Sequence, residues 1–343
     1  MKKMVGFGDY LLRLNPEGYL RFIQADHFQI NYTGAEANVC VSLAMMGMDT
    51  EFVTRLPDND IAACGVAELR KFNVGTSHIA YGGERMGVFY AEKGASQRPS
   101  KIVYDRKYTS IATCAYEDFD WEDIFAGATH FHMTGITPAL SKTIPSVCIK
   151  ACRKAKEMGL TVSCDLNYRK NLWTEAEANA CMVQLMPYID VLVANEEDAE
   201  KVLGFKPGNT DVTSGELELA GYVDIFNQMA DKFGFKYIIS SLRESFSASN
   251  NGWSACIMDG KTREFYHSRK YRITPIVDRV GGGDSFAAGL ICGLADGKDM
   301  KAALEFAVAA SALKHTIPGD FNLVTRADVE NLAGGDGSGR VQR

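Results

Sequence analysis

A parallel β-sheet with helices on both faces, joined by a small accessory sheet, is the architecture this chain encodes. Two features carry that reading. Short apolar runs alternate with helical patterns along most of the length, the rhythm of repeated strand–helix–strand units. Two segments, residues 10–33 and 86–108, break the rhythm by alternating apolar and polar residues with no helix between them. They read as half-exposed antiparallel strands, either edge hairpins or a lid beside the main sheet.

The first apolar strand covers residues 4–8 and ends at Gly6-Phe7-Gly8. Within residues 10–33, Asn15-Pro16-Glu17-Gly18 is a turn. Residues 35–47 read as a helix closed by Gly47, 51–55 as a strand, and 59–72 as a helix capped by Asn59 or Asp60. Residues 86–108 fold around a turn-like Lys93-Gly94-Ala95-Ser96. Apolar runs at 129–133, 160–166, 189–195 and 236–242 are strands, and helical patterns lie at 141–158, 175–187, 196–203 and 215–233. A further helix, 284–296, starts behind a run of glycines. Residues 1–333 read as a single domain, and the Gly-rich polar tail 334–343 as disordered.

Composition narrows the function classes. The chain has 343 residues, 46% of them hydrophobic, enough for a large core and against a disordered protein. Its net charge of -6 offers no general nucleic-acid surface, so any phosphate must be held by a local site. Nine cysteines are scattered without a CxxC pair, as in a reducing cytosol, and Cys148 and Cys152 read as core thiols rather than a redox or metal pair. No apolar run reaches the length of a signal core or a membrane span, which points to a soluble, cytoplasmic protein.

The chemistry concentrates in Asp278-Arg279-Val280-Gly281-Gly282-Gly283-Asp284-Ser285-Phe286-Ala287-Ala288-Gly289. Glycines let the backbone turn sharply and bring N–H groups close to a ligand. The helix start behind them adds unpaired donors and a positive dipole end, together an anion hole for a phosphoryl group. Asp284 stands at its mouth, where a carboxylate can take the proton of an attacking hydroxyl. Taken alone, the stretch reads first as a Gly-rich turn with Asp284 as a plain N-cap. No G-x-x-x-x-G-K-[ST] loop is present, and Leu11 stands where a dinucleotide fingerprint after Gly6 needs its third glycine.

This stretch resembles the C-terminal signature of the ribokinase (PfkB) family of carbohydrate kinases. The N-terminal signature is matched by Gly34-Ala35-Glu36-Ala37-Asn38-Val39-Cys40-Val41-Ser42-Leu43-Ala44-Met45-Met46-Gly47. The resemblance runs from about Met4 to Leu332 and implies a three-layer α/β/α sandwich with a β-sheet lid. It makes Asp284 the general base and the backbone of Gly281, Gly282 and Gly283 the anion hole, with ATP as phosphoryl donor and Mg²⁺ as its partner. The family's N-x-x-E motif reads Asn195-Glu196-Glu197-Asp198 here, with Asp198 in place of Glu, so Asn195 and Asp198 are expected to act on Mg²⁺ through water. By themselves these residues also satisfy a helix N-cap followed by an acidic first turn. Asp278 and Val280 resemble positions that hold a monovalent cation such as K⁺, and Ala309 to Asp320 resembles the loop beside it. Residues Ser240 to Arg243 correspond to the nucleotide side, with Ser241 and Arg243 as contacts alongside Asn195, Gly281 and Gly283. Family members often pair through the lid, so a homodimer is expected.

Three features point to a sugar-acid substrate. Asp165-Leu166-Asn167-Tyr168-Arg169-Lys170-Asn171-Leu172-Trp173 resembles the D-x-N-x-R-x-x-L-W element of 2-keto-3-deoxygluconate kinases and related fructokinases. Tyr90, Tyr104 and Arg106 resemble the two tyrosines and the arginine with which those kinases grip the keto acid. His315 to Asn322 resembles their C-terminal loop. A carboxylate substrate calls for guanidinium partners, and Arg106 and Arg169 are the candidates, with Gly34 and Asn38 on the sugar hydroxyls. The expected reaction is phosphorylation of the terminal 6-hydroxyl. The alternatives are a fructokinase, a kinase of another keto acid such as 2-keto-3-deoxygalactonate, or a catalytically inactive sugar-binding regulator, against which the intact Asp284 speaks. His130 and His132 share a strand face, but no third ligand is placed beside them, so they read as core or cleft residues rather than a metal pair.

Overall fold

Successive side chains of a strand point to opposite faces of its sheet. The central strands of this protein are apolar at both parities, so each face must be covered. In the computed structural model, which describes residues 2–206 and 219–340, Leu192 and Ala194 enter one core while Val191 and Val193 enter another. Ile238 and Ile239 divide in the same way, as do Cys256 and Met258 against Ala255 and Ile257.

Among the described residues the main sheet has nine strands. From one edge its order is Phe265–His267, Asn250–Asp259, Tyr237–Ser247, Val191–Ala194, Thr161–Asp165, Ala128–Thr134, Lys3–Phe7 and Asp49–Val53, with Tyr271–Ile273 also paired to Asn250–Asp259. The six strands from Tyr237–Ser247 to Asp49–Val53 are parallel and the remaining pairings antiparallel. Helices Ile144–Glu157, Glu175–Leu185, Glu196–Leu203 and Leu219–Phe233 supply the core on one face. Helices Ala35–Met45, Asp60–Lys71, Gly282–Ala295 and Met300–Lys314 cover the other. The last two pack almost backbone to backbone, because a side chain at Gly289 would lie 2.8 Å from Ala307 Cα. The three-layer sandwich is therefore present.

The helix expected over 215–233 is described from Leu219 onward, and residues 215–218 lie outside the described residues. Of the tail expected to be disordered, 341–343 also lie outside them. Cys148 and Cys152 are fully buried on the helix Ile144–Glu157, as apolar thiols in the core. His132 is buried too, with Nδ1 2.8 Å from Ser163 Oγ, and burial lowers its pKa to about 4.

The two irregular segments form a separate sheet in the order Gln29–Thr33, Leu11–Asn15, Gly87–Glu92 and Lys101–Asp105. Each outer pair is an antiparallel hairpin, but the central pair, Leu11–Asn15 with Gly87–Glu92, is parallel. The all-antiparallel reading is corrected at that seam, since local alternation specifies strands and not the direction in which two distant hairpins dock.

A buried ion cluster fastens this sheet to the body. Arg13, on the strand Leu11–Asn15, donates Nη2 to Asp278 Oδ2 at 3.0 Å and Nη1 to an Asp320 carboxylate oxygen. All three side chains are buried. Burial opposes the guanidinium charge, but the two carboxylates hold its pKa above the ordinary value. Replacing Arg13 with Met leaves two buried carboxylates short of a partner, so the variant should lose about 3–5 kcal/mol of stability. A urea melt checks this, and a midpoint unchanged from wild type would remove the cluster as the fastening.

Candidate active site

In an open parallel sheet, ligands gather at the carboxyl ends of the strands, where the chain leaves for the helices and exposes loop backbone. The cleft lies there. It has a volume of about 760 Å³ and takes residues from the ends of four parallel strands: Asp9, Ile136, Asp165 with Asn167 and Arg169, and Asn195 with Asp198. The lid supplies Leu11, Phe89, Ile102, Tyr104 and Arg106.

The glycine run opens the helix Gly282–Ala295. Gly281 is its N-cap with φ +81°, and a Cβ there would lie 2.0 Å from the Asp320 carbonyl, so glycine is required twice over. Gly283 has open space in front of it. First-turn amides of a helix have no intrahelical acceptor, so those of Gly283 and Asp284 face the cleft as donors. Arg243 and Arg279 line the same cleft, and Arg279 is held by the carbonyls of Ser247 and Ala248.

Asp284, half-buried, accepts from Asn38 Nδ2 at 2.7 Å, joining signature segments 246 residues apart. Its pKa is raised to about 7, first by burial and then by Glu36 and Asp320, against the Asn38 hydrogen bond and Arg169. Asn38 also accepts from Thr33 Oγ1, and Gly34 precedes its helix against the Asp9 carbonyl. Two more carboxylates lie close. Burial, Asp198 and Asp284 raise Asp165 to about 8, and burial raises Asp198 to about 6. Arg169 acts electrostatically on all three. It is exposed, donates to the Tyr168 carbonyl and makes no ion pair among the described residues.

Asn195 caps the helix Glu196–Leu203 through Asp198 N, while Asp198 Oδ1 accepts from Tyr168 N. The cap and the cleft position are thus held together. Among the described residues, no three His, Cys, Asp or Glu side chains converge as a direct metal cage. Asp198 and Asp165, oxygen donors whose charge burial disfavours, fit a hard cation that keeps its waters, as Mg²⁺ does.

Three expectations are corrected, and one residue, Arg106, has a partner the sequence did not indicate. Tyr90 does not line the cleft. In register it lies with Leu14 and Val103 on the other lid face, and Phe89 is the cleft-facing residue beside Tyr104, at 5.6 Å between rings. Strand alternation makes a one-residue shift a change of face. Ser240 is buried in the sheet, while Ser241 and Arg243 reach the cleft. Arg106 lines the cleft but already donates to Asp9 Oδ2 at 2.8 Å. The monovalent cation expected at Asp278 and Val280 does not fit. The Asp278 carboxylate is taken by Arg13 and by Val280 N, and its carbonyl accepts from Lys314 Nζ.

Several cleft residues were not singled out from sequence: Asp9, Glu36, Arg279 and Asp320. Asp9 carried a usable signal, a carboxylate just past the first parallel strand. Glu36 carried none, being a helix glutamate until the fold buries it against Thr134 and Thr137.

Known proteins share the sequence and the fold of this chain over nearly its whole length. The chain is 31% identical to a 2-dehydro-3-deoxygalactonokinase of Haloferax volcanii over 97% of this chain and 98% of that protein. It is 26% identical to a 2-dehydro-3-deoxygluconokinase of Bacillus subtilis over 93% and 91%. The crystal structure of a 2-dehydro-3-deoxygluconokinase from Thermotoga maritima superposes with a TM-score of 0.92 at 48% identity, covering 98% of this chain and 100% of that one. With residues 1–324 matching the pfkB family of carbohydrate kinases, and both signature segments meeting at Asp284, the chain belongs to that family.

Proposed function

We propose that the protein phosphorylates the 6-hydroxyl of 2-keto-3-deoxygluconate (2-dehydro-3-deoxygluconate) with ATP. The observation that carries this is Asp284, a carboxylate with pKa about 7 held by Asn38 at the mouth of the glycine-lined helix start. A base poised near the working pH, beside donors for the transferring phosphoryl group, is what in-line transfer to an alcohol requires. Asp284 accepts the hydroxyl proton as that oxygen attacks the γ-phosphorus. The amides of Gly283 and Asp284 receive the phosphoryl oxygens, and Arg243 and Arg279 meet the remaining phosphate charge. Mg²⁺, held through water by Asn195 and Asp198, would neutralise charge on the phosphates. Closure of the lid, which carries Tyr104 and Phe89, excludes water.

The sugar-acid assignment rests on Arg169, an exposed guanidinium in the cleft without an ion pair among the described residues, and on the named relatives. Arg106 supports it from the lid, but Asp9 already shares its charge. The pairing of two lids has its own support. Ile30, Leu14, Tyr90 and Val103 form one cross-strand row on the lid face turned from the cleft, and Ile30 and Val103 are 63% and 53% exposed.

Turnover of 2-keto-3-deoxygluconate, 2-keto-3-deoxygalactonate, fructose and ribose tests the substrate, and the keto acids should react best. Arg169→Ala should raise KM for the keto acid by roughly 1.5–3 kcal/mol in binding terms, the scale of a hydrogen bond to a charged group, with little effect on fructose. Equal losses on both would remove the carboxylate contact. Asp284→Asn should lower kcat by roughly 10²–10⁴-fold. Because Asp284 works deprotonated and its pKa is raised to about 7, wild-type kcat/KM should fall as pH drops below that value. An acid limb in the ordinary carboxylate range would count against this assignment. Val103→Glu should convert a dimer to a monomer by light scattering, and an unchanged mass would rule out pairing through this row.

A further inference from the structure

Lys314 is the last residue of the helix Met300–Lys314 and is 0% exposed. Its Nζ donates to two main-chain carbonyls, Asp278 at 3.4 Å and Ile317 at 3.2 Å. It makes no ion pair with a carboxylate among the described residues. An ammonium ion bound only by backbone oxygens, with carboxylates just beyond, has the surroundings of a bound monovalent metal ion. Its position is the expected cation site, since Asp278 lies three residues before Gly281 and Asp320 closes over Gly281.

The local charge balance points the same way. Buried charges are tolerated when they are paired. Asp278 and Asp320 supply two negative charges, and Arg13 and Lys314 supply two positive ones. Among these four groups the charges already balance, and a further monovalent cation would compete for a carbonyl already in use. The electrostatic environment of Lys314 includes Asp278, Asp320 and Asp284, so its charge reaches the reacting end of the cleft. Burial pushes its pKa down while those three carboxylates push it back up.

We propose that the Lys314 ammonium is a built-in monovalent cation that holds the loop behind the anion hole, so that phosphoryl transfer needs no added K⁺. It is a positioning residue, acting through the Asp278 and Ile317 carbonyls rather than touching substrate. Arg13 fixes the Asp278 carboxylate that would otherwise turn toward a metal ion.

The inference rests on the kinase reading, and the experiment separates the two. Wild-type activity and ATP affinity by calorimetry are measured in potassium chloride and in tetramethylammonium chloride at equal ionic strength. Both should agree within about twofold, where loss of one preorganised charge would cost roughly 10²-fold. Strong K⁺ activation, or nucleotide binding that requires K⁺, overturns the proposal. A protein that binds ATP identically in both salts but phosphorylates no sugar sinks the kinase reading and leaves the inference standing.

Two variants then separate a cation from a structural cap. Lys314→Ala removes the ammonium and leaves room beside the carbonyls, and it should lose activity and regain most of it with K⁺ or ammonium. Lys314→Met fills the space without charge and should be inactive and unrescued. If Lys314→Ala is folded, inactive and indifferent to both ions, Lys314 is only a helix-end contact and the proposal fails. Should neither variant fold, the wild-type salt comparison decides.

Discussion

The lid, the glycine loop and the C-terminal loop come from three distant parts of the chain, and Arg13 holds them together. Its two hydrogen bonds to Asp278 and Asp320 cross 265 and 307 residues of sequence. A buried guanidinium is stable only where its charge is met, and its planar fork suits two carboxylates at once. The same contacts fix Asp278 ahead of the glycine turn that opens the helix Gly282–Ala295. Asp320 in turn packs its carbonyl where any side chain at Gly281 would sit. The lid strand Leu11–Asn15 and the glycine turn are therefore tied to one buried ion cluster.

From that joint the cleft collects negative charge at the strand ends. Asp165, Asp198 and Asp284 all have raised pKa values, with burial as the leading cause in each. Such groups hold protons that an arriving cation, or an arriving hydroxyl, can change. Asp284 differs from the other two in its Asn38 contact, which orients one carboxylate oxygen and leaves the group beside the first-turn amides. Opposite charges meet in a cleft lined by Asp165, Asp198 and Asp284 together with Arg169, Arg243 and Arg279.

Much of this was legible in residue order. Continuous apolar runs and helical patterns placed the parallel strands and most of the helices, because burial on both faces of a parallel sheet leaves a local signature, whereas the strand Asn250–Asp259 and the helix Met300–Lys314 were not singled out. The glycine run announced the sharp helix-opening turn at Gly281 through backbone freedom that no other residue supplies. Where the reading slipped, the reason was geometric. Tyr90 and Phe89 are neighbours, and only the register of the lid strands says which faces the cleft. Asn195 read as a cap and as a site residue, and it caps its helix while lining the cleft.

The chain's own order specified the layers, the glycine turn and the acidic residue behind it, since these depend on patterns within a few residues. The fold alone decided which charges meet. Arg13 with Asp278, Lys314 with the Asp278 carbonyl, Asn38 with Asp284 and Arg106 with Asp9 join residues 36 to 265 positions apart. Electrostatic pairing acts through space over a few ångströms, and separation along the sequence carries no record of it.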